Sequence, residues 1–409
     1  MAMYICVAVC WASDVVRERW SSVELRRYRP CVTTELLLAP PEPRITDPAI
    51  FAGLLEPGVQ AAQALLVLGK VARTAFYVPP GASARRSADP VFSCDGATLR
   101  AESFSPCCGV HARLDVPLAG QPEGTHRSGC TNVDLGEATR TVLSGIVGAE
   151  PLHLTVRGDG VRFGSLDGTE DEEVVPVPGR WVAGFAEVAA VTSAMTRQAG
   201  LDEPSARSFL RQLPTRPGGA SWAVRSGSGL RLSARGGQAA IAATGVHRLR
   251  VVEPLLRFVR GLTVYGVPGG EVASWELVLD AARFTVTLSP APARGFSGEG
   301  GLLAAQVAGP VDPELFTGRI GHDLAAGVMF ERALPSGRRR PERRLEKARG
   351  LVAAGAVLRL PDGGYEIRHG MSIQRARLDP LGCTCQWWAR HQGSRGPCSH
   401  LLAAQMLAG

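Results

Sequence analysis

The first three quarters of the chain repeat one arrangement of apolar and polar positions. Three times a tight glycine turn precedes a short strand in which apolar and polar residues alternate. The glycines, Gly96, Gly160 and Gly229, are 64 and 69 residues apart. A near-constant period of this size indicates a structural repeat. Glycine hairpins before strands are also common in α+β domains without repeats, so both interpretations stay open.

The unit around Gly160 shows the fullest pattern. Residues 131–135 predict a strand, residues 137–147 an amphipathic helix, and residues 152–156 with 161–163 a hairpin. The other elements predicted in this part are strands at 173–177, 222–224, 230–232, 239–243, 275–279 and 284–288, and helices at 185–195 and 252–259. A β-α-β-β-β unit of about 65 residues resembles the building block of sliding-clamp processivity folds.

The last hundred residues predict a small α+β unit. Apolar residues at helical spacing predict a helix from about residue 342 to Gly355. Short strands are predicted at 357–360, 365–368 and 373–378, and a compact helix at 401–407.

Four potential metal ligands lie between the last predicted strand and this helix. Cys383 and Cys385 form a CxC pair, and Cys398 and His400 follow after a spacer of twelve residues. Three thiols and one imidazole are a ligand set that zinc takes in closed tetrahedral sites. The alternative is a group of reduced core thiols beside a surface histidine.

This CxC, spacer and CxH pattern resembles the SWIM zinc finger. The resemblance implies a ββα module that binds Zn²⁺ through the four ligands and acts with DNA or in protein contacts. A looser likeness to bacterial SWIM proteins encoded beside MoxR-type ATPases extends back through residues 318–323 and 330–335. It implies an ATPase as one candidate partner.

The spacer contains two adjacent tryptophans, Trp387 and Trp388, followed by Arg390 and Arg395. Aromatic and cationic side chains together can stack on bases and pair with phosphates. The alternative is that a tryptophan covers the metal site as a small apolar core.

Positive charge is concentrated in the same region. From residue 310 to the end there are 15 Arg or Lys and 9 Asp or Glu, which gives +6 of the formal +7. Such an excess attracts phosphate backbones or acidic protein surfaces. The residues expected to contact an anionic partner are Arg338, Arg339, Arg340, Arg343, Lys347, Arg390 and Arg395.

Other sequence features argue against catalysis, a membrane span and a disulfide scaffold. There is no Walker phosphate loop, nucleophile elbow or HExxH motif, so we expect no enzymatic activity. Ten cysteines in 409 residues are too sparse for a disulfide scaffold. No apolar stretch is long enough to span a membrane, and residues 3–12 favour a buried strand over a signal peptide, so we expect a cytoplasmic protein. Only Lys70 and Lys347 among the 45 basic residues are lysines, a bias that indicates a GC-rich, bacterial genome.

A second group of potential ligands has no recognisable metal spacing. It consists of Cys94, Cys107, Cys108, His111 and Cys130. A second metal site and a set of buried thiols are both open interpretations.

These observations predict an α+β protein with a strand-rich N-terminal platform and a C-terminal ββα SWIM zinc module. They leave open whether the platform consists of sliding-clamp-like repeats or of ordinary α+β structure with glycine hairpins. The predicted domains are residues 1–127, 128–310 and 311–409. We expect a non-enzymatic protein that binds nucleic acid through the basic C-terminal module. The alternative is an adaptor for an acidic protein surface, with an ATPase as candidate partner and purely structural zinc.

Overall fold

The structure is a computed structural model that describes most of the chain. The described residues are 47–78, 90–218, 221–237, 239–267, 270–290, 295–296, 318–334, 343–370, 372–391 and 397–408. The strand predicted within residues 3–12 lies outside them. We call residues 47–334 the platform and residues 343–408 the module.

The platform is rich in strands. Its strands are β1 (Ala49–Leu55), β2 (Val91–Cys94), β3 (Thr98–Phe104), β4 (Val110–Pro117), β5 (Thr125–His126), β6 (Gly129–Asn132), β7 (Leu152–Arg157), β8 (Gly160–Ser165), β9 (Gly168–Glu173), β10 (Thr196–Asp202), β11 (Trp222–Ser226), β12 (Gly229–Ser233), β13 (Ile241–Ala242), β14 (Gly261–Gly266), β15 (Ala273–Val278), β16 (Arg283–Leu288), β17 (Ile320–Asp323) and β18 (Val328–Glu331). Its helices are α1 (Gly58–Arg73), α2 (Glu137–Gly145), α3 (Gly179–Ser193) and α4 (Glu203–Arg211), with 3-10 segments at Leu118–Gly120 and Val246–Phe258. This composition confirms the predicted strand-rich α+β class.

Two β-α-β-β-β units follow each other at the start of the platform. The first consists of β1, α1 and β2 to β4, and the second of β6, α2 and β7 to β9. A third unit begins with β10, α4 and the hairpin β11–β12. Gly96, Gly160 and Gly229 each lie at the first hairpin turn after the helix of their unit. The three glycines therefore lie at corresponding hairpins in the order of elements, and the superposition of their units stays a prediction.

The first two units exchange strands. The first strand of each unit pairs with the other unit, as β1 pairs with β7 and β6 pairs with β2. An eight-stranded sheet then joins these units to the later strands in the order β10-β14-β15-β16-β4-β3-β2-β6. Strand pairing thus crosses the domain boundary predicted between residues 127 and 128.

One face of the eight-stranded sheet is apolar and carries the main core. Trp275 of β15 and Phe284 of β16 are fully buried there, and the ring of Trp275 stacks on Phe209 of α4 with centroids 5.4 Å apart. Helix α1 packs on β3 and β4 and against the 3-10 segment Val246–Phe258. Burying each such large side chain contributes about 1.5–3 kcal/mol, so this face supplies much of the stability of the platform.

The opposite face of the same sheet is polar and is nevertheless buried. Arg100 and Glu102 of β3 face Asp115 and Arg113 of β4 directly across the strand pair. All four side chains are at most 4% exposed. Buried charges of this kind persist only when they are paired and hydrogen-bonded.

The hairpin β17–β18 covers this polar face through ion pairs. Arg332 donates two hydrogen bonds to the Glu102 carboxylate, one from Nε to Oε2 and one from Nη2 to Oε1 at 2.8 Å. Arg283 contacts Asp323 in the same way, at 2.7 and 2.9 Å. The ring of Phe330 lies 3.9 Å from the guanidinium carbon of Arg100. Residues 318–334, placed by sequence in the last domain, therefore pack on the platform.

Gly58, the first residue of α1, is closely enclosed. A Cβ at this position would lie 2.2 Å from the backbone oxygen of Glu150 and 2.5 Å from the nitrogen of Leu152. Gly58→Ala is expected to lower the unfolding free energy by about 1–3 kcal/mol or more, because backbone atoms must shift to make room. Gly145→Ala is the matched control: a Cβ there meets nothing within 4 Å. Urea denaturation of both variants measures the difference, and equal stabilities would contradict the prediction.

The module has its own sheet and core. Its elements are α5 (Arg343–Ala353), β19 (Val357–Arg359), β20 (Tyr365–His369), β21 (Ser372–Leu378), β22 (Leu381–Cys383), α6 (Gln386–His391) and α7 (Ser399–Ala408). The strands form an antiparallel sheet in the order β19-β20-β21-β22. The predicted strands and both predicted helices are present, whereas β22 and α6 were not predicted. The module is thus larger than the expected ββα unit.

Candidate metal centre and basic surface

The first ligand pair lies at the edge of the module sheet. Cys383 is the last residue of β22 and pairs with Ala376 of β21, which is buried in the module core. Cys385 follows two residues later and directly precedes α6. Strand β22 therefore ends at the first potential ligand, Cys383, and the second, Cys385, follows just before α6.

Cys385 and Cys398 each occupy the N-cap position of a helix. The carbonyl of Cys385 accepts from Ala389 N, and that of Cys398 accepts from Leu402 N, both at 3.0 Å. Each sulfur also accepts a backbone N–H from three residues onward, Trp388 N for Cys385 and Leu401 N for Cys398, both at 3.4 Å. A thiol thus takes the role that Ser or Asp usually plays. Such N–H groups stabilise a thiolate.

The four predicted ligands converge. Their ligand atoms all lie within 4.8 Å of one another, and Cys383 Sγ is 3.8 Å from His400 Nδ1. Cys385, Cys398 and His400 are buried, and Cys383 is half-buried. Among the residues that the structure describes, this is the one group of three or more potential ligands that can hold a metal ion.

The three thiols do not ionise equally. A hydrogen bond from Cys383 lowers the pKa of Cys398 to about 4, with a further contribution from His400. The same hydrogen bond raises the pKa of Cys383, and burial raises that of Cys385. A bound cation would favour the thiolate form of all three cysteines and displace their protons.

The two tryptophans of the spacer lie against the module core. Both Trp387 and Trp388 are half-buried and pack on the cluster of apolar residues that contains Cys385 and Cys398. The guanidinium carbon of Arg344 in α5 lies 4.7 Å from the centroid of the Trp387 ring. This packing favours the interpretation in which the tryptophans cover the ligand cluster.

The structure places only part of the predicted basic surface. Arg338, Arg339, Arg340 and Arg395 lie outside the described residues, and Arg343 is the first residue of α5. Lys347 on α5 and Arg390 on α6 are exposed. Four further exposed arginines on the module sheet were missed by the sequence analysis: Arg359, Arg368, Arg375 and Arg377.

The second group of potential ligands is dispersed in the platform. All five residues are described, and no three of Cys94, Cys107, Cys108, His111 and Cys130 bring ligand atoms together. Burial raises the pKa of Cys108 and Cys130 to about 12, so both remain thiols at neutral pH. The Nε2 of His111 lies 3.2 Å from Glu102 Oε1. The interpretation as buried thiols fits this arrangement, and a shared metal site does not.

Comparison with known proteins gives little further information. No protein-family model matches the sequence, and no curated protein is similar to it. Among solved structures, the chain is similar to the proliferating cellular nuclear antigen of Entamoeba histolytica, with a TM-score of 0.38 and 9% sequence identity. The match covers 59% of this chain and 99% of that chain. None of the helices in the described residues is long and apolar enough to cross a membrane.

Proposed function

We propose that the protein binds nucleic acid through its C-terminal module, in which one structural zinc ion organises the fold, and that it catalyses no reaction. The observation that carries this proposal is the charge on the module surface. Among the module side chains that the structure describes, the exposed cationic ones are Lys347, Arg349, Arg359, Arg368, Arg375, Arg377 and Arg390, and the exposed carboxylates are Glu346, Asp362 and Asp379. Clustered guanidinium groups are the usual means by which proteins contact phosphate backbones.

The ligand cluster supports zinc as the metal. Three thiolates and an imidazole suit a borderline-soft ion, and zinc bonds of about 2.3 Å to sulfur in a tetrahedral site place two sulfurs about 3.8 Å apart. The ligand atoms, which lie within 4.8 Å of one another, need only small shifts to reach this geometry. Four protein ligands leave no position for a reactive water, which supports a structural role. The likeness to the SWIM motif supports the same assignment.

An acidic protein surface is the alternative partner, because the same charges would attract it. Nucleic acid and protein differ in their dependence on salt. Binding to a phosphate backbone releases condensed counterions, so the logarithm of affinity falls linearly with the logarithm of salt concentration. A protein partner binds with a defined stoichiometry and depends on a few particular arginines.

Titration of the full-length protein against a labelled DNA duplex and a labelled single strand, across a salt series, tests the proposal. We expect binding to at least one of the two at low salt. Replacing Arg338, Arg339 and Arg340 together with glutamine is expected to lower the salt slope by about 0.7–0.9 for each lost phosphate contact, with no change in sequence preference. Arg225→Gln in β11 of the platform is the control. Absence of binding to both probes at low salt would reject nucleic acid as the partner.

A further inference from the structure

The solvent face of the module sheet presents three arginines side by side. Ile373, Arg375 and Arg377 alternate along β21 with residues that face the core, such as Ala376. On β20, Arg368 lies opposite Ile373, and Glu366 lies opposite Arg375. The strand pleat therefore places all three guanidinium groups on one face. We call Arg368, Arg375 and Arg377 the arginine triad.

The arginine triad makes few ion pairs within the described part of the chain. Arg368 pairs with Glu366 at 2.9 Å, and Arg377 pairs with Asp362 at 3.1 Å. The side chains of both arginines are 61% exposed, and within the described part of the chain Arg375 makes no ion pair. Exposed ion pairs contribute about 0–1 kcal/mol. Asp362 is 53% exposed, so an incoming anion can replace it on Arg377 at little cost. Glu366 is only 15% exposed, so its pair with Arg368 is the more costly of the two to replace.

The spacing of the triad suits a linear chain of anions. Residues two apart on a strand, such as Arg375 and Arg377, are separated by about 6.8 Å. Arg368 is the diagonal neighbour of Arg375 on the adjacent strand, at about 7–8 Å. At this spacing the three guanidinium groups can each contact a different phosphate along one polymer.

Two exposed aliphatic side chains flank the triad. Ile373 is 58% exposed and Leu358 of β19, opposite Glu366, is 46% exposed. Apolar side chains beside a phosphate-binding surface can contact the faces of unpaired bases, whereas the base faces in a duplex are already stacked on one another. The described side chains on this face of β20 and β21 include neither an aromatic ring nor an amide. The face is therefore suited to contacts with the sugar-phosphate backbone of a nucleic acid and not to recognition of base edges.

We propose that the arginine triad is the surface on which the module binds the sugar-phosphate backbone of single-stranded nucleic acid, independently of sequence. Ile373 and Leu358 contact the bases beside it. Glu366, in the middle of the face, opposes binding. This inference rests on the proposed function and narrows it to one face of one sheet.

The test uses the full-length zinc-bound protein and a labelled oligothymidylate, with a duplex of equal length as the second probe. Arg375→Gln with Arg377→Gln is expected to lower the slope of log affinity against log salt by about 0.7 for each lost contact. Glu366→Gln is expected to raise the affinity, because it removes a carboxylate from the face. Arg225→Gln with Arg231→Gln is the matched control, since both residues are exposed on a platform hairpin. Zinc content establishes that each variant keeps its module.

Different outcomes separate this inference from the proposed function. No binding of wild-type protein to either probe overturns both. Wild-type binding with an unchanged salt slope in the Arg375/Arg377 variant overturns the inference alone. Tighter binding to the duplex overturns the assignment to single strands. Equal binding of a labelled polyglutamate peptide, lost in the same variant, would show that the triad binds acidic protein instead.

Discussion

Replacing Cys385 with serine is expected to unfold the module and leave the platform folded. Serine removes one of the four potential metal ligands, whereas its hydroxyl can still accept the Trp388 N–H that contacts the Cys385 sulfur, so the N-cap of α6 is kept. A structural zinc site contributes about 10–16 kcal/mol to the folding of its domain, which exceeds the total stability of most domains. Loss of the metal is therefore expected to unfold the small core of the module. Elemental analysis should give one zinc per chain for wild type and less than one for the variant.

Hydrogen exchange of the backbone amides shows which part of the protein unfolds in Cys385→Ser. We expect the backbone amides of residues 343–408 to lose protection in Cys385→Ser and those of β3 and β4 to keep it. Cys107→Ser is the control, because Cys107 lies in the platform outside the ligand cluster. A chelator added to wild type should reproduce the effect of Cys385→Ser. A wild-type protein without zinc, or a variant with a protected module, would disprove the assignment.

Replacing Arg332 with methionine is expected to lower the free energy of unfolding by about 3–5 kcal/mol. Arg332 is 1% exposed and makes two hydrogen bonds to Glu102, which is fully buried. Removing one partner of a buried ion pair leaves the other charge without compensation. In the double variant Arg332→Met with Glu102→Gln, much of the loss should be recovered. Urea denaturation at neutral pH measures both, and a loss below 1 kcal/mol in the single variant would contradict the prediction.

The same pair predicts a change in pH dependence. Burial by itself raises the pKa of Glu102, but the charge of Arg332 and the hydrogen bonds from His111 and Arg332 outweigh it, so the pKa lies below its usual value. Ionised Glu102 therefore stabilises the wild type above about pH 4.3, and this contribution is lost as the pH falls toward the lower pKa of the folded state. In Arg332→Met, burial dominates and the pKa of Glu102 rises. That variant should then lose stability as the pH rises through the usual range of a carboxyl group.

The convergence of the four potential ligands was predictable from sequence because its information is local. Cys383 and Cys385 are two residues apart, as are Cys398 and His400, and the ligand types themselves indicate a closed site. The elements on either side of the first ligand pair, β22 and α6, are short and gave no periodic pattern of their own. Their positions follow from the ligands: β22 ends at Cys383, and α6 begins after Cys385.

Two features of the platform were not predictable, for different physical reasons. Helix α1 is buried on most of its sides, including Ala64, Leu68 and Val71, so its sequence lacks the polar stripe by which an amphipathic helix is recognised. The alternation around Arg100 and Glu102 predicts a strand with one solvated face, yet the structure buries that face. The partner that makes burial possible, Arg332, is 230 positions from Glu102 in the chain.

That separation sets an order of events during synthesis of the protein. Ribosomes add about 5–20 residues per second, so the arginine that neutralises Glu102 emerges roughly 10–50 s after the carboxylate itself. During this interval strands β3 and β4 can pair and bury their apolar side, while their charged side remains hydrated and open to chaperones. The hairpin β17–β18 therefore covers the sheet late in synthesis, and a nascent chain that ends before this hairpin exposes a surface that the finished protein conceals.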